Sequence, residues 1–255
     1  MMNKFNAIIL AAGKGTRLLP LTKDCPKCLV KVKGKSILDR QLELFDYVGI
    51  KTKIVVSGYL NEKIDKENYI NIVNKDFDIS NMLHSLMLAR KFLNGNVIIS
   101  YGDILYKKKV LNSLLEDPRD IVIASDNKWK NYWNERFNNP LDDAESFVKG
   151  ENQRVKSLGK TETNIKNIEG QFIGLIKLSA RGCADIISVY DDCYKSNSCS
   201  LNAWGSQRKL KLAYMTDILN FIASDNKLYF REIERGWIEV DNLIDLEIAN
   251  KVSWL

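Results

Sequence analysis

A short apolar run followed directly by a glycine-rich, cationic turn is the feature that most constrains this chain. Residues 7–10 are typical of a buried parallel strand, although a run this short does not by itself exclude a helix. Residues 11–17, Ala-Ala-Gly-Lys-Gly-Thr-Arg, come next, and their two glycines let the backbone approach a ligand and direct several N–H groups at it. Because Lys14 and Arg17 add positive charge, the stretch predicts a loop that binds phosphate groups.

The spacing of this loop differs from that of two familiar nucleotide-binding loops. It matches neither Gly-x-Gly-x-x-Gly nor Gly-x-x-x-x-Gly-Lys-Ser/Thr, so a dinucleotide fold and a P-loop are not predicted. The alternative, from the local pattern alone, is an ordinary β-turn with two solvated cations. We favour the phosphate loop, because a strand runs directly into the two glycines.

Apolar runs alternate with helical patterns through the first half of the chain. The 255 residues, 45% of them apolar, suffice for one large α/β domain. Alternating strands and helices predict right-handed βαβ units and a mostly parallel sheet. The predicted strands are residues 7–10, 29–32, 54–56, 69–73, 97–101 and 121–124, and the predicted helices are 37–48, with Ser36 as N-cap and Gly49 at its end, 82–93 and 108–115.

The alternation ends near residue 125. Residues 126–147 have weak periodicity and several aromatic side chains, which predicts an insertion acting as a lid or acceptor loop. A smaller, partly antiparallel sheet is predicted from position 148 and residues 155–158 and 172–178. Helices at 180–194 and 213–224, strands at 229–230 and 237–240, and a helix at 243–252 are predicted to follow. We therefore divide the single domain 1–255 into a first segment, residues 1–125, a second segment, residues 126–241, and a closing helix segment, residues 242–255.

Two carboxylates each stand directly after an apolar strand. Asp103 ends Ser-Tyr-Gly-Asp, and Asp241 ends Ile-Glu-Val-Asp. Ligands of open α/β sheets bind beyond the carboxyl ends of the strands, where Asp103 and the loop at Gly13 are both expected. The alternative is that each carboxylate caps the next helix or turn, and the residues alone leave both interpretations open.

Composition limits the partners and the compartment. A net charge of +6 suits an anionic substrate, but no basic run of five or six residues occurs, so nucleic-acid binding is not predicted. Five irregularly spaced cysteines argue against a disulfide framework, and Cys25 and Cys28 lack the further ligands that zinc needs. No stretch approaches the roughly 18 apolar residues of a membrane span, and the apolar run within residues 1–12 is short for a signal peptide. We expect a cytoplasmic, reducing location without membrane insertion.

The loop and its continuation resemble a known family. Residues 10–18, Leu-Ala-Ala-Gly-Lys-Gly-Thr-Arg-Leu, then Pro20, then Pro26 with Lys27, are similar to the signature of nucleotidyltransferases that join a nucleoside triphosphate to a phosphorylated small molecule. The resemblance implies a three-layer, Rossmann-like α/β fold with a mostly parallel sheet and a small antiparallel sheet on the acceptor side. It also implies metal-assisted transfer of a nucleoside monophosphate with release of pyrophosphate.

The same resemblance implies roles for the matching residues. Arg17 and Lys27 would be catalytic, with Lys14 and Arg17 on the β- and γ-phosphates and Lys27 on the α-phosphate. Asp103 and Asp241 would bind Mg²⁺ together. The first segment, residues 1–125, would supply the nucleotide-binding residues, which are Leu10, Ala11, Ala12, Gly13, Lys14, Gly15, Asn81, Ser85 and Tyr101. Asn81 and Ser85 lie one helical turn apart, so Asn81 would face a pyrimidine or ribose, unless it only caps the helix.

Later motifs resemble one branch of this family more than the others. Five stretches, residues 133–145, 157–160, 172–179, 214–217 and 236–241, are similar to cytidylyltransferases of phosphocholine and 2-aminoethylphosphonate, and related enzymes load phosphorylated amino acids. The resemblance implies CTP as donor, a small amine-bearing phosphate or phosphonate as acceptor, and a role in modifying a cell-surface polysaccharide or lipid. A homodimer is left open.

A cationic acceptor requires carboxylates or aromatic faces. The resemblance implies that Lys160 meets the acceptor phosphate. Within the second segment, residues 126–241, we predict that the acceptor's amine end lies near Glu145, Asp217, Trp133 and Trp237, with Asp126, Trp129, Tyr132 and Trp204 as further candidates. Core packing is the alternative for most of the aromatic residues. Arg136 or Arg208 would balance a zwitterionic acceptor.

Three other functions compete with this one. A sugar-1-phosphate nucleotidyltransferase is the main alternative. A metal-dependent glycosyltransferase would normally show Asp-x-Asp and no Gly-x-Gly-Thr-Arg loop, which is the reverse of this chain. A non-catalytic nucleotide sensor could lose Lys27 or a metal carboxylate, and all of these are present.

Overall fold

The structure is a computed structural model that describes residues 4–64, 67–162 and 164–255. Its strands are β1 (Phe5–Ala11), β2 (Lys31–Val32), β3 (Lys35–Ser36), β4 (Thr52–Ser57), β5 (Ile70–Val73), β6 (Asn96–Tyr101), β7 (Ile104–Tyr106), β8 (Ile121–Asp126), β9 (Glu145–Lys149), β10 (Val155–Thr161), β11 (Gln171–Leu178), β12 (Tyr229–Ile233) and β13 (Trp237–Glu239). Its helices are α1 (Ile37–Tyr47), α2 (Met82–Leu88), α3 (Lys108–Leu115), α4 (Trp129–Arg136), α5 (Ala180–Lys195), α6 (Asn197–Leu201), α7 (Met215–Ser224) and α8 (Leu243–Lys251). Residues 1–3, which belong to the segment 1–12 and the domain 1–255 considered above, lie outside the described residues.

A central sheet covered by helices on both faces organises the fold. Among the described residues, seven strands pair in the order β12-β8-β11-β6-β1-β4-β5. β1 is parallel to β4 and β6, β4 is parallel to β5, and β8 is parallel to β12. The predicted three-layer, mostly parallel α/β fold is therefore confirmed.

Strand β1 is apolar at successive positions because both of its faces are buried. Ile9 packs into the core that also contains residues of α1, α3 and α4, whereas Ile8 and Leu10 pack with residues of α2, α5 and α7. Ile8 and Ile9 are both 0% exposed. Because successive side chains of a strand point to opposite faces, a strand covered on both faces needs apolar residues at every position.

Most predicted helices and strands are present, with shifted ends. The Ser36 hydroxyl accepts a hydrogen bond from the Asp39 amide at 3.0 Å and caps α1, and Gly49 follows α1 with a φ of 82°. The helix predicted over 82–93 is shorter than expected, because α2 ends at Leu88 and a separate 3₁₀ turn, Arg90–Phe92, follows. Within the described ranges, no helix is long and apolar enough to cross a membrane.

The prediction that residues 172–178 belong to a smaller sheet is wrong. They form β11, which lies antiparallel between β6 and β8 in the central sheet. All of β11 is buried except the half-buried Phe172, which is the pattern of a strand covered on both faces. An apolar run does not encode strand direction, so its place in the sheet could not be derived from it. The small antiparallel sheets are β9 with β10, β13 with β7, and β2 with β3.

Residues 126–147, predicted as an insertion acting as a lid or acceptor loop, begin with helix α4, which packs in the core. Trp129, Tyr132 and Trp133 of α4 are 1%, 0% and 3% exposed, and they pack in the same core as residues of α1 and α3. Together with Arg136 they have the spacing i, i+3, i+4, i+7 of a single helix face. The last position is an arginine, which conceals the pattern because arginine is rarely buried.

The cysteines differ from expectation at one place. Cys193 and Cys199 form a disulfide bond between α5 and α6, where no disulfide framework was predicted. Cys25, Cys28 and Cys183 are free. Irregular spacing along a whole chain does not exclude one local pair, and this explains the difference.

Candidate active site

The turn after β1 forms one wall of a first cavity of about 300 Å³. Gly15 has a φ of 63°, and a Cβ added there would lie 2.9 Å from the Cβ of Lys27. The Gly15 carbonyl accepts a hydrogen bond from the Thr22 hydroxyl at 2.7 Å. Glycine is therefore required at this position both by its backbone angle and by the close approach of the Lys27 side chain. The predicted nucleotide-binding residues that line this cavity are Leu10, Ala11, Ala12, Gly13, Gly15, Asn81 and Ser85.

Three carboxylates converge beside this cavity. Asp103 follows β6, whereas Glu239 and Asp241 lie at the end of β13, which pairs with β7 immediately after Asp103. The Val240 amide donates a hydrogen bond to the Asp103 carbonyl at 2.9 Å and fixes the two chain segments side by side. One oxygen from each carboxylate lies within 4.8 Å of the others. We refer to Asp103, Glu239 and Asp241 as the acidic group.

The acidic group could hold a divalent metal ion. Asp103 Oδ1 is buried and has no hydrogen-bond partner among the described residues, so it is available as a ligand. Carboxylate oxygens are suitable ligands for hard cations such as Mg²⁺ or Mn²⁺. The predicted metal pair, Asp103 and Asp241, omitted Glu239. The sequence indicated Glu239 through its Glu-Val-Asp spacing, because Glu239 and Asp241 are two residues apart and residues two apart on a strand share a face.

Lys27 lies between two members of the acidic group. Its Nζ is 2.6 Å from Asp103 Oδ2 and also contacts Asp241 Oδ1. Burial acts to lower the pKa of Lys27, but the carboxylates of Asp103 and Asp241 raise it above its usual value, so the ammonium remains charged. Burial acts to raise the pKa of Asp241, and Lys27 followed by Arg17 lowers it below its usual range.

Arg17 connects the first cavity to a second cavity of about 340 Å³. Its guanidinium contacts Asp241 Oδ2, and its Nη1 lies 3.5 Å from Asp143 Oδ1 in the wall of the second cavity. Four of the described residues line both cavities: Arg17, Asn81, Met82 and Asp241. Ligands in the two cavities can therefore meet beside Asp241.

The second cavity is lined by three of the predicted acceptor residues, Trp133, Glu145 and Trp237. The pKa of Glu145 is raised, first by loss of hydration and then by the neighbouring carboxylates of Asp143 and Asp217. Gln171 Nε2 donates a hydrogen bond to the Glu145 carbonyl at 2.6 Å and fixes the backbone at this wall. The cavity thus combines acidic and aromatic side chains.

Asn81 and Ser85 are engaged within the fold. Asn81 Oδ1 accepts a hydrogen bond from the Met82 amide at 2.7 Å and caps α2, which is the structural role considered for it above. Ser85 Oγ accepts a hydrogen bond from Asn74 Nδ2 at 2.9 Å. Both residues still line the first cavity, so a base or ribose placed there would meet their remaining polar atoms.

Two other predicted nucleotide-binding residues are not among the described residues that line the first cavity. Tyr101 lines the second cavity instead, and its ring is edge-on to Phe172 with centroids 5.8 Å apart. Lys14 is exposed, with its ammonium 5.5 Å from the centre of the Phe77 ring. Lys14 lies in the glycine-rich turn and Tyr101 at the end of β6, and neither position in the sequence determines which way the side chain points.

Two predicted acceptor residues are not among the described residues that line either cavity. Asp217 accepts a hydrogen bond from Arg208 Nη1 at 3.1 Å and one from the Tyr214 amide at 2.7 Å, so it caps α7 and neutralises an arginine. Lys160 is exposed on β10, next to Thr161, which pairs with Glu145 of β9. The local sequence did not reveal that Asp217 has an arginine partner.

The remaining acceptor candidates from the sequence are also engaged within the fold. Asp126 is 0% exposed and accepts a hydrogen bond from Trp237 Nε1 at 2.8 Å. Trp129 and Tyr132 are core residues, as the alternative interpretation held. Trp204 lines a separate groove between α5 and α7. Arg136 is buried and paired with carboxylates.

Comparisons with known proteins identify the family. Residues 7–158 match the model of the MobA-like NTP transferase domain. The chain is 36% identical over 257 residues to CTP:phosphoglutamine cytidylyltransferase of Campylobacter jejuni, and the alignment covers 95% of this chain and 98% of that protein. It is 37% identical over 129 residues to choline-phosphate cytidylyltransferase of Streptococcus pneumoniae, which covers 48% of this chain and 56% of that protein.

Solved structures agree with this assignment at the level of the fold. The CTP:phosphocholine cytidylyltransferase of Streptococcus pneumoniae has a TM-score of 0.75 at 23% identity, over 97% of this chain and 98% of that chain. The inositol-1-phosphate CTP transferase of T. maritima has a TM-score of 0.73 at 18% identity, over 98% of this chain and 96% of that chain. Because the family model spans more than half of the chain and one relative aligns with nearly all of it, the chain belongs to the MobA-like NTP transferase family and is a nucleotidyltransferase.

Proposed function

We propose that this protein transfers CMP from CTP to a small amine-bearing phosphate or phosphonate and releases pyrophosphate. The observation that carries the proposal is the meeting of two cavities at Arg17 and Asp241, beside the acidic group. A nucleotide in the first cavity would present its α-phosphate to an acceptor in the second. CTP is proposed as the donor because the relatives described above are cytidylyltransferases.

Transfer of this kind depends on alignment and charge neutralisation. An oxygen of the acceptor phosphate attacks the α-phosphorus, and the bond from that phosphorus to the β-phosphate bridging oxygen breaks as pyrophosphate leaves. Lys27 would stabilise charge on the α-phosphate, and Arg17 with Lys14 would hold the β- and γ-phosphates. The acidic group would hold Mg²⁺, which when bound neutralises phosphate charge.

The walls of the second cavity support an ammonium-bearing acceptor. Asp143 and Glu145 supply carboxylates, and Trp133 and Trp237 supply indole rings. A desolvated cation–π contact is worth about 2 kcal/mol, enough for roughly 30-fold selection over a neutral isostere. Lys160 is proposed to meet the acceptor phosphate, since its strand β10 passes beside Glu145.

A matrix of donors and acceptors tests the proposal. CTP, UTP, ATP, GTP and dTTP would each be combined with phosphoglutamine, phosphocholine, aminoethylphosphonate, phosphoethanolamine and glucose 1-phosphate, and pyrophosphate release would be measured. We expect CTP with an amine-bearing acceptor to be fastest. Faster turnover of the sugar phosphate would support the sugar-nucleotide alternative, and no turnover of any pair would support a nucleotide sensor.

Removal of divalent metal should abolish the reaction. With EDTA in excess, we expect pyrophosphate release to fall to the background rate, because the phosphate charge is then no longer neutralised at the acidic group. Added Mg²⁺ should restore the rate, whereas Ca²⁺ should bind without restoring it, since it lacks the strict octahedral geometry with which Mg²⁺ aligns phosphate oxygens. An unchanged rate in EDTA would remove Mg²⁺ from the proposal.

Glu145 should select the amine of the acceptor. We expect Glu145→Gln to raise KM for an amine-bearing acceptor by roughly 10-fold, about what loss of one charge-assisted contact costs, and to leave KM for CTP unchanged. Asp217→Asn is the matched control, because the Asp217 carboxylate is already engaged by Arg208. Equal changes of acceptor KM in both variants would count against a direct role for Glu145.

The cellular setting is also part of the proposal. We place the reaction in the cytoplasm, where CTP is made, and assign the activated product to modification of a cell-surface polysaccharide or lipid. Fractionation of cells would test the location, and analysis of surface glycans after gene deletion would test the role. Light scattering of the purified protein would distinguish a monomer from a homodimer.

A further inference from the structure

A buried ion pair lies directly behind the acidic group. Arg136 ends α4 and Asp245 lies in the first turn of α8, and both side chains are 0% exposed. Arg136 Nε donates to Asp245 Oδ1 at 2.8 Å, and Arg136 Nη2 donates to Asp245 Oδ2 at 3.0 Å. This two-bond pairing fixes the orientation of both groups.

Each member of the pair holds one member of the acidic group. Arg136 Nη1 lies 2.9 Å from Glu239 Oε2. Asp245 Oδ2 accepts a hydrogen bond from the Asp241 amide at 2.9 Å. The pair therefore sets a guanidinium against the Glu239 carboxylate and, through a hydrogen bond, holds the backbone of Asp241.

Helix α4 also contacts β13 through Tyr132. The Tyr132 hydroxyl donates to the Glu239 carbonyl at 3.0 Å and accepts from the Glu239 amide at 2.9 Å. Among the described strands, β13 pairs with β7 on one side only, so the tyrosine hydroxyl takes the place of a neighbouring strand on the other side. Helix α4 thus sets both the side chain and the backbone of Glu239.

A purely structural role would not require an ion pair here. The guanidinium of Arg136 lies 5.1, 5.0 and 5.0 Å from the ring centres of Tyr132, Trp133 and Phe137, a setting in which an apolar side chain would also pack. Replacing a buried ion pair by well-packed apolar residues is often neutral or stabilising. The contacts to Glu239 and Asp241 are what an apolar residue could not supply.

We propose that Arg136 and Asp245 are positioning residues for the acidic group and thereby set its affinity for a divalent cation. Neither is among the described residues that line the two cavities, so both act through Glu239 and Asp241. The inference rests on the proposed function only in taking the acidic group as a metal site. It does not depend on the identity of donor or acceptor.

Binding of Mn²⁺ alone to the full chain tests the proposal. Arg136→Lys keeps the charge but cannot make the forked pairing, and loss of such supporting contacts typically costs about 10- to 100-fold in metal affinity. We expect that loss for Arg136→Lys and for Asp245→Asn, measured by calorimetry and by electron paramagnetic resonance of free Mn²⁺. Because the probe is the metal itself, failure of the CTP assignment would leave this result intact.

The matched control is a second forked pair at the opposite end of the sheet. Arg119 donates to the buried Asp117 through Nε at 2.8 Å and through Nη2 at 2.5 Å. Arg119→Lys should lower the thermal midpoint and leave Mn²⁺ affinity unchanged. Unchanged Mn²⁺ affinity in Arg136→Lys, with a similar loss of thermal midpoint, would overturn the proposal. If that variant fails to fold, Tyr132→Phe, which keeps the ring and removes both bonds to Glu239, should weaken Mn²⁺ binding instead.

Discussion

Replacement of Asp241 by asparagine should lower kcat by about 10³-fold, the largest loss expected from a single substitution. Loss of one preorganised electrostatic contact commonly costs about 10²- to 10³-fold in kcat, and Asp241 makes several. Its carboxylate contacts Lys27 and Arg17 and belongs to the acidic group. Pyrophosphate release at saturating CTP, acceptor and Mg²⁺ is the measurement.

A second buried aspartate provides the control for this variant. Asp117 is likewise paired with two cationic side chains, Arg119 and Arg231, but lies before β8 at the far end of the sheet. Asp117→Asn should reduce stability and leave kcat within about 3-fold, because Asp117 is not among the described residues lining the two cavities. An Asp241→Asn enzyme that kept a tenth of the normal kcat would contradict the assignment of Asp241 to the reaction centre.

Replacement of Lys27 by methionine should lower kcat by about 10²- to 10³-fold and change KM for CTP little. In the proposed mechanism the ammonium would meet the α-phosphate most strongly as charge shifts in the transition state, so its loss should affect kcat rather than ground-state binding. Steady-state kinetics with varied CTP would separate the two parameters. If only KM rose, Lys27 would be reassigned to binding of the nucleotide.

Lys177 is the matched control for Lys27. Lys177 is 3% exposed, compared with 14% for the side chain of Lys27, and its ammonium donates to the Arg119 carbonyl at 2.6 Å, again at the end of the sheet opposite the cavities. Lys177→Met should change the thermal midpoint and leave kcat and KM near normal. A comparable fall of kcat in both variants would show that loss of stability, rather than chemistry, explains the effect of Lys27→Met.

The features of the site that the sequence revealed are those in which one short stretch carries the whole signal. The strand and loop up to Arg17 are contiguous, and Asp103 directly follows an apolar strand, so both could be placed at the same edge of the sheet. The sheet class also followed from the alternation of strands and helices. These features depend on local spacing and on general rules of chain topology.

The features that the sequence concealed depend on partners far away in the chain. Arg136 conceals the apolar face of α4, because its burial depends on Asp245 more than a hundred residues later. The sequence offers Asp217 as a carboxylate for the acceptor's amine, whereas in the fold Asp217 pairs with Arg208. The direction of β11 depends on its two neighbours rather than on its own residues.

The division of the walls between the two cavities has a consequence for how such enzymes could be re-engineered. The first cavity is lined mainly by the turn after β1 and by the start of α2, whereas the second is lined by side chains from α4, β9, β11 and the start of α7. Only four residues belong to both sets of described lining residues. Grafting the second set from a related nucleotidyltransferase should therefore exchange the acceptor while the donor stays the same, provided that Arg17 and Asp241 are retained.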